Sequence, residues 1–101
     1  MRILNSDEKK QALYELSKWQ EKQSPNAISR NFTFPDFPSC IAFLTEIAFL
    51  AEKSDHHPEF FQCYNKLTVL LTTHDVGGIS IKDVEMAKDI DSIFLRHYKN
   101  I

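Results

Sequence analysis

The sequence predicts a single α+β domain: a four-stranded antiparallel sheet with three helices on one face, in the order αββαββα. Three observations lead to this prediction. Helix-start residues precede three segments with helical apolar spacing, β-type residues occur in two pairs of segments, and a short turn sequence joins each pair. A chain of 101 residues can bury one core and is too short for two, so residues 1–101 are expected to form one domain.

The first two helices are predicted from residues that can cap their first turns. Ser6 is expected to begin the first helix, because its hydroxyl can cap free amides and the acidic residues after it favour the positive end of the helix dipole. Asp36 or Ser39 begins the second, which is expected to run to about Lys53. Residues 41–51 are apolar at nine of eleven positions, more than one core face requires, so one side is expected to meet another subunit.

The last helix is predicted to begin at Ser80, which can form a capping box with Asp83 three residues later. Apolar residues then recur at helical spacing. The buried face of this helix is expected to consist of Val84, Ala87, Ile90, Ile93, Phe94 and His97.

Two hairpins are predicted to supply the four strands. In the first, the turn-rich residues 23–26 separate residues 19–22 from residues 27–34. In the second, aromatic and β-branched residues flank Asn65-Lys66, a candidate two-residue turn. A turn centred there would set His74 opposite His57, with Cβ atoms about 5 Å apart.

Composition and charge limit the classes of function. Twelve basic and fourteen acidic residues give a net charge of -2, which supplies no broad cationic surface for nucleic-acid backbones. Cys40 and Cys63 lie in apolar contexts without metal-ligand spacing and are expected to be buried free thiols. No apolar run reaches the roughly 20 residues of a membrane span and no targeting signal is visible, so the expected setting is the cytoplasm.

The densest cluster of titratable residues lies in residues 52–59 and 72–75, and it contains three of the four histidines. Pro58 disfavours helical backbone at His57, so the adjacent His56 and His57 are expected to leave the helix with side chains pointing in different directions. Acid/base sites are built from such groups. The carboxylates available to orient the imidazoles are Glu52, Asp55 and Asp83.

Other interpretations of these residues stay open at this level. His56 or His57, with His74 and a carboxylate, would be adequate zinc ligands in a zinc-dependent hydrolase, although the usual close ligand spacings are absent. The histidines could also serve only to cap a helix end and fill a sheet edge. Gly77 and Gly78 indicate a tight turn rather than a phosphate cradle.

Several separated blocks of the chain carry one recognisable pattern over about residues 12 to 95. The blocks are Trp19, Phe32-x-Phe34-x-Asp36-Phe37, Ala51-Glu52-Lys53-x-x-His56-His57-Pro58-Glu59, Tyr64-Asn65-Lys66, Leu71-x-Thr73-His74-Asp75-x-Gly77-Gly78, and Asp83 with Ala87. In these blocks the sequence resembles the pterin-4a-carbinolamine dehydratases, also known as dimerisation cofactors of a homeodomain transcription factor. One departure is Phe60, where many relatives have Trp, so an indole hydrogen bond is absent.

The resemblance implies the predicted fold, assembled as dimers or tetramers, and the dehydration of 4a-hydroxytetrahydrobiopterin to quinonoid dihydropterin in tetrahydrobiopterin recycling. It implies His56 and His74 as general acid/base residues, His57 as a catalytic histidine that contacts substrate, and no metal or other cofactor. It also implies a transcription-factor partner, as some relatives have. The net charge and the short apolar runs predict no direct binding of nucleic acid or membrane. The substrate-binding residues that the resemblance implies are Glu52, Asp55, His57, Pro58, Phe60, Thr72, Thr73 and Asp83.

Overall fold

The helices and strands follow one another in the predicted order. A computed structural model describes residues 1–98, so residues 99–101 of the predicted domain lie outside the described residues. The elements are α1 (Ser6–Glu15), β1 (Gln20–Gln23), β2 (Asn26–Thr33), α2 (Phe37–Ser54), β3 (Glu59–Cys63), β4 (Lys66–Leu71), a short 3-10 helix (His74–Val76) and α3 (Ile81–Tyr98).

The four strands form one antiparallel sheet in the spatial order β1-β2-β4-β3. Alternate side chains of the central strands share one face, because successive strand residues point to opposite sides. The buried residues on that face are Ile28, Phe32, Leu67, Val69 and Leu71. The residues that cover it are Phe43 and Ile47 of α2, Ile90 and Phe94 of α3, and the half-buried Ala12 and Leu13 of α1. The predicted α+β class, with three helices and four antiparallel strands, is confirmed.

Polar contacts in the middle of α3 fix this helix against the first hairpin. Asp91 accepts a hydrogen bond from Trp19 Nε1 at 2.9 Å and one from Arg30 Nη1 at 2.6 Å. The Arg30 guanidinium also lies 4.3 Å from the centre of the Phe32 ring, a cation–π contact. The sheet therefore holds α3 in place, and the first turn of α3 carries Asp83.

The predicted cap of α1 is wrong by one residue. Asn5 caps the helix: its Oδ1 accepts from the Glu8 N–H at 2.9 Å, and Glu8 Oε1 accepts from the Asn5 N–H at 2.9 Å. Both Asn and Ser can cap a helix, but only Asn5 lies three residues before a glutamate that can close the reciprocal box. Ser6 is the first helical residue instead.

Of the two candidates for the cap of α2, the structure selects Asp36, whose carboxylate accepts from the Ser39 N–H at 2.8 Å. The helix then buries Cys40, Phe43, Ile47 and Ala51 against the core. It also leaves Phe49 73% exposed, so its apolar surface is wider than its core face, as the sequence predicted. No helix within residues 1–98 is both long and apolar enough to cross a membrane.

The turn between β3 and β4 lies one residue earlier than predicted. Cys63 pairs with Lys66, so the turn residues are Tyr64 and Asn65, and the predicted pairing of His57 with His74 does not occur. Asn65 forms two hydrogen bonds with Phe34, the residue after β2. Its side chain donates to the Phe34 carbonyl at 2.8 Å, and its own carbonyl accepts from the Phe34 N–H at 2.9 Å. Tyr64 takes the left-handed conformation in its place, with φ at 51°.

Two further predictions about burial are wrong. Cys63 is a free thiol but is exposed, because it faces the side of the sheet away from the helices, whereas Cys40 is buried. His97 is exposed and its Nε2 lies 3.2 Å from Glu46 Oε1, so it does not join the buried face of α3. The other predicted members of that face are buried, except the half-buried Ile93, and Met86 belongs to it as well.

The position of the α1 cap can be tested with a pair of single substitutions. Asn5→Ala removes the acceptor of the capping box and is expected to lower the free energy of unfolding by about 1 kcal/mol. Ser6→Ala leaves the box intact and is expected to change it by much less. Urea denaturation followed by circular dichroism measures both, and a larger loss for Ser6→Ala would show that the cap is assigned to the wrong residue.

Candidate active site

His56 and His57 lie directly after α2, in a segment that is neither helix nor strand. Asp55 ends the helix in the left-handed conformation, with φ at 51°, a region that Asp tolerates better than most residues. The His56 N–H then bonds back to the Ala51 carbonyl at 3.2 Å. This closing turn fixes where the His56 backbone lies, and the predicted exit from the helix before Pro58 is confirmed.

The His56 side chain points inward to the first turn of α3. Its Nε2 lies 2.6 Å from Asp83 Oδ1. The His56 side chain is 11% exposed and the Asp83 side chain is 0% exposed. A contact this short between two enclosed groups holds the imidazole in one orientation.

Asp83 uses its second oxygen to tie β4 to α3. Oδ2 accepts from the Ser80 backbone N–H at 2.9 Å, which confirms this contact of the predicted capping box, and from Thr73 Oγ1 at 2.8 Å. The hydroxyl oxygens of Thr73 and Ser80 are themselves 2.7 Å apart. All three side chains are buried. One carboxylate therefore joins the exit from α2, the end of β4 and the start of α3.

Thr73 also sets the position of His74, the next residue. Thr73 and Gly78 form an isolated antiparallel bridge, in which the Thr73 N–H donates to the Gly78 carbonyl at 2.9 Å. The short 3-10 helix between them spans His74–Val76 and is followed by Gly77, whose φ of 71° lies in the left-handed region that favours glycine. The predicted tight turn is therefore confirmed, with the left-handed position at Gly77. Gly78 packs against Ile3, where an added Cβ would lie 3.4 Å from its side chain.

The other two histidines are open to solvent and face carboxylates. His57 Nε2 lies 2.9 Å from Glu52 Oε1, and the side chains are 56% and 78% exposed. His74 Nε2 lies 3.8 Å from Glu59 Oε2, and these side chains are 77% and 59% exposed. Exposed pairs of this kind hold their partners loosely, because water competes for each polar group.

Side-chain contacts and short stretches of the backbone together form a circuit that links the three histidines. His56 reaches His74 through Asp83 and Thr73. The His74 side chain faces Glu59, and Glu59 lies two residues after His57 in the sequence. The histidines are thus gathered at one end of the sheet although the predicted pairing across β3 and β4 is absent. His56 and His57 have partners on different helices, α3 and α2, so their side chains diverge as expected.

The remaining predicted site residues occupy varied environments. Thr72 is buried, and its hydroxyl donates to the Asn26 carbonyl at 2.8 Å. Asp55 is exposed and Pro58 is half-buried. Phe60 is 36% exposed and pairs with Val69 across β3 and β4, so it lies toward the helix-covered face.

Sequence reasoning did not assign two residues to the site: Glu59, which belongs to the circuit, and Ser80, which contacts Asp83 and Thr73. Ser80 was identified only as a helix cap, although the capping box already required the Asp83 side chain to turn back toward the Ser80 N–H. Glu59 lies within the titratable cluster, but its approach to His74 depends on how β3 and the 3-10 helix pack, which no local signal indicates. Among residues 1–98, no group of three or more His, Cys, Asp or Glu side chains is arranged to hold a metal ion.

Comparisons with known proteins agree with one another. A protein-family model described as pterin 4 alpha carbinolamine dehydratase matches residues 2–93. A relative from Rhizorhabdus wittichii that bears this family name is 48% identical over 90 residues, which is 89% of this chain and 93% of the relative. The pterin-4-alpha-carbinolamine dehydratase of Drosophila melanogaster is 43% identical over 91 residues, covering 88% of this chain and 47% of the fly protein.

A solved structure shows the same fold. The protein from Brucella melitensis, described as a transcriptional coactivator/pterin dehydratase, superposes with a TM-score of 0.86 at 40% sequence identity. The match covers 90% of this chain and 97% of that protein. On the protein-family model, the relatives and the fold, this chain belongs to the pterin-4a-carbinolamine dehydratase family of hydro-lyases.

Proposed function

We propose that this chain removes water from 4a-hydroxytetrahydrobiopterin to give quinonoid dihydropterin, as a step in the recycling of tetrahydrobiopterin. The observation that carries the proposal is the circuit in which three histidines, each facing a carboxylate, meet at one end of the sheet. The names of the sequence relatives support the same substrate class.

The reaction needs two proton transfers and no change of oxidation state. The C4a–O bond breaks as the departing hydroxyl takes up a proton and leaves as water. N5 loses its proton, and its electron pair forms the new N5=C4a double bond. An imidazole can supply the first proton and another can accept the second, because an ordinary imidazole exchanges protons near neutral pH.

The three histidines divide this work according to how firmly they are held. His56 and His74 act as the acid/base pair, and His57 contacts the substrate from the exposed side of the site. His56 is enclosed and fixed by Asp83, whereas His74 and His57 are 77% and 56% exposed and can reach a ligand that enters from solvent. One rigid group beside two accessible ones suits a site that must admit a bicyclic substrate and still orient it.

The residues proposed for substrate binding act in two ways. Glu52, Asp55, Pro58 and Phe60 have side chains at or near the surface beside the histidines, so they can contact the pterin ring directly. Thr72, Thr73 and Asp83 are buried and bonded within the protein, so they act on the substrate through the groups that they hold.

The active unit is proposed to be a homodimer or homotetramer in the cytoplasm. α2 exposes Phe49 on a stripe with the small residues Ala42, Thr45 and Ala48, and such a stripe lets two helices approach closely. A second copy of the chain is the proposed occupant, because the stripe is continuous along α2 and its one hydroxyl, that of Thr45, is already bonded to the Ile41 carbonyl. The two free cysteines suit a reducing compartment.

A second candidate function is a regulatory one. The Brucella melitensis protein is described as a transcriptional coactivator as well as a pterin dehydratase, and the α2 stripe would be the surface available to a transcription-factor partner. Dehydration by itself does not require such a partner. A coactivator role would be abolished by changes on α2 that leave the histidines intact.

His74→Ala tests the catalytic proposal. The variant is expected to fold normally, because the side chain is 77% exposed, and to lose about 10²- to 10⁴-fold in turnover of a 4a-carbinolamine. Stopped-flow absorbance measures the dehydration, and circular dichroism measures the fold.

His97→Ala is the matched control for this substitution. His97 is also an exposed histidine facing a glutamate, but it lies fourteen residues beyond Asp83 on α3, roughly 21 Å along the helix axis. Its turnover is expected to equal that of the unmodified chain. Undiminished turnover in His74→Ala would count decisively against the proposed role of His74.

Removal of metal ions separates the dehydratase from the zinc hydrolase considered above. Dialysis against a chelator is expected to leave dehydration unchanged, because the proposed proton transfers use imidazoles alone. Activity that disappears on chelation and returns with Zn²⁺ would favour the metal-dependent alternative.

Phe49→Glu tests the proposed subunit contact. A charge on the α2 stripe is expected to shift the protein to a smaller species in sedimentation velocity, because a carboxylate buried without a partner destabilises the interface. Tyr14→Glu, at a residue 82% exposed on α1, is the control and is expected to sediment like the unmodified chain. Dissociation by Tyr14→Glu alone would place the contact on another surface.

A further inference from the structure

We propose that His56 exchanges protons with the substrate through Nδ1, and that Asp83 is a positioning residue that keeps the proton of the neutral ring on Nε2. This inference rests on the acid/base role proposed for His56. It adds which nitrogen of the His56 ring exchanges the proton and which residue selects that nitrogen. The selection follows from the direction of each hydrogen bond around Asp83.

The hydroxyl groups beside Asp83 have one consistent arrangement of protons. The Lys82 N–H donates to Ser80 Oγ at 3.2 Å, so this oxygen acts as an acceptor toward the helix. Thr73 has a single hydroxyl proton, which it donates to Asp83 Oδ2 at 2.8 Å. The 2.7 Å contact between the two hydroxyls must then be a donation from Ser80 to Thr73. Ser80 therefore donates to Thr73 and Thr73 donates to Asp83, so both hydroxyl protons point toward Asp83.

Two further features favour the ionised form of Asp83. Oδ2 accepts two hydrogen bonds, from the Ser80 N–H and the Thr73 hydroxyl, and hydrogen bonds donated to a carboxylate stabilise its charged form. Asp83 also lies in the first turn of α3, where the aligned peptide dipoles favour negative charge. A carboxylate can only accept hydrogen bonds.

The 2.6 Å contact between Asp83 Oδ1 and His56 Nε2 is then a donation from the imidazole. In the neutral ring the proton stays on Nε2, and Nδ1 carries the lone pair that can accept a proton. In the charged ring Nδ1 carries the proton that can be donated. In both states Nδ1 is the nitrogen that exchanges a proton with the substrate, while Nε2 stays bonded to Asp83.

An amide in place of this carboxylate should reverse the arrangement. The backbone N–H of Ser80 is a fixed donor, so the side-chain oxygen of Asp83→Asn must occupy the Oδ2 position. Its NH₂ group then faces His56 Nε2 and donates to it. The imidazole is left with its proton on Nδ1, where it cannot act as a base toward the substrate.

Long-range ¹H–¹⁵N NMR of the full chain reads the protonation of each ring nitrogen directly. At a pH where His56 is neutral, the unmodified protein is expected to show a proton on Nε2 and none on Nδ1. Asp83→Asn is expected to show the reverse, with turnover lowered about 10²- to 10⁴-fold, as when a histidine base is held in the wrong tautomer. The His56 resonances are assigned by their loss in His56→Ala.

Glu52→Gln is the matched control, since it makes the same change from carboxylate to amide beside His57. It is expected to leave the tautomer of His56 unaltered. A proton found on Nδ1 in the unmodified protein, or an unchanged tautomer in Asp83→Asn, would overturn the assignment. The unmodified spectrum provides this test even if Asp83→Asn does not fold.

The spectra also separate this inference from the proposed function. If His56→Ala retained full dehydration while the tautomer switched as expected in Asp83→Asn, the catalytic role of His56 would fail and the control of its tautomer by Asp83 would stand. If His56→Ala lost activity while His56 of the unmodified protein carried its proton on Nδ1, the catalytic role would stand and the selection of Nδ1 would fail.

Discussion

The buried carboxylate of Asp83 is the interaction on which the arrangement of the site depends. It is 0% exposed, it accepts hydrogen bonds from the start of α3 and the end of β4, and it lies 2.6 Å from His56 Nε2 in the segment after α2. An isolated charge in such a position would be strongly destabilising without hydrogen-bond partners. The surrounding elements must therefore stay where they can bond to it, and they carry two of the three histidines.

The remaining constraint is that buried polar atoms require partners. Within residues 1–98, every buried side-chain nitrogen and oxygen has a hydrogen-bond partner. Thr72 binds the Asn26 carbonyl at the end of the first hairpin, and Thr73 binds Asp83. These adjacent threonines thus bond the end of β4 to two different parts of the fold. The backbone that leads into His74 is therefore fixed in position.

Exposure across the site rises from one histidine to the next. The His56 side chain is 11% exposed, His57 is 56% exposed and His74 is 77% exposed. A buried side chain keeps its orientation but cannot move to meet a ligand. An exposed side chain can move to meet a ligand, but it takes one orientation only when the ligand binds. An acid/base elimination that protonates one atom and deprotonates another can use both kinds of group.

The sequence by itself determined the order of the elements, the class of the fold, the capping box at Ser80 and Asp83, and the family. These features depend on local residue types and spacing, such as helical apolar periodicity, capping residues and the separated histidine blocks. The tertiary structure decided the turn at Tyr64, because Asn65 bonds to Phe34, far away in sequence. It also decided that Cys63 is exposed and that Glu59 approaches His74. Above all it decided that Asp83 bonds to His56 and Thr73, since those contacts join residues 27 and 10 positions apart and exist only once the helices pack on the sheet.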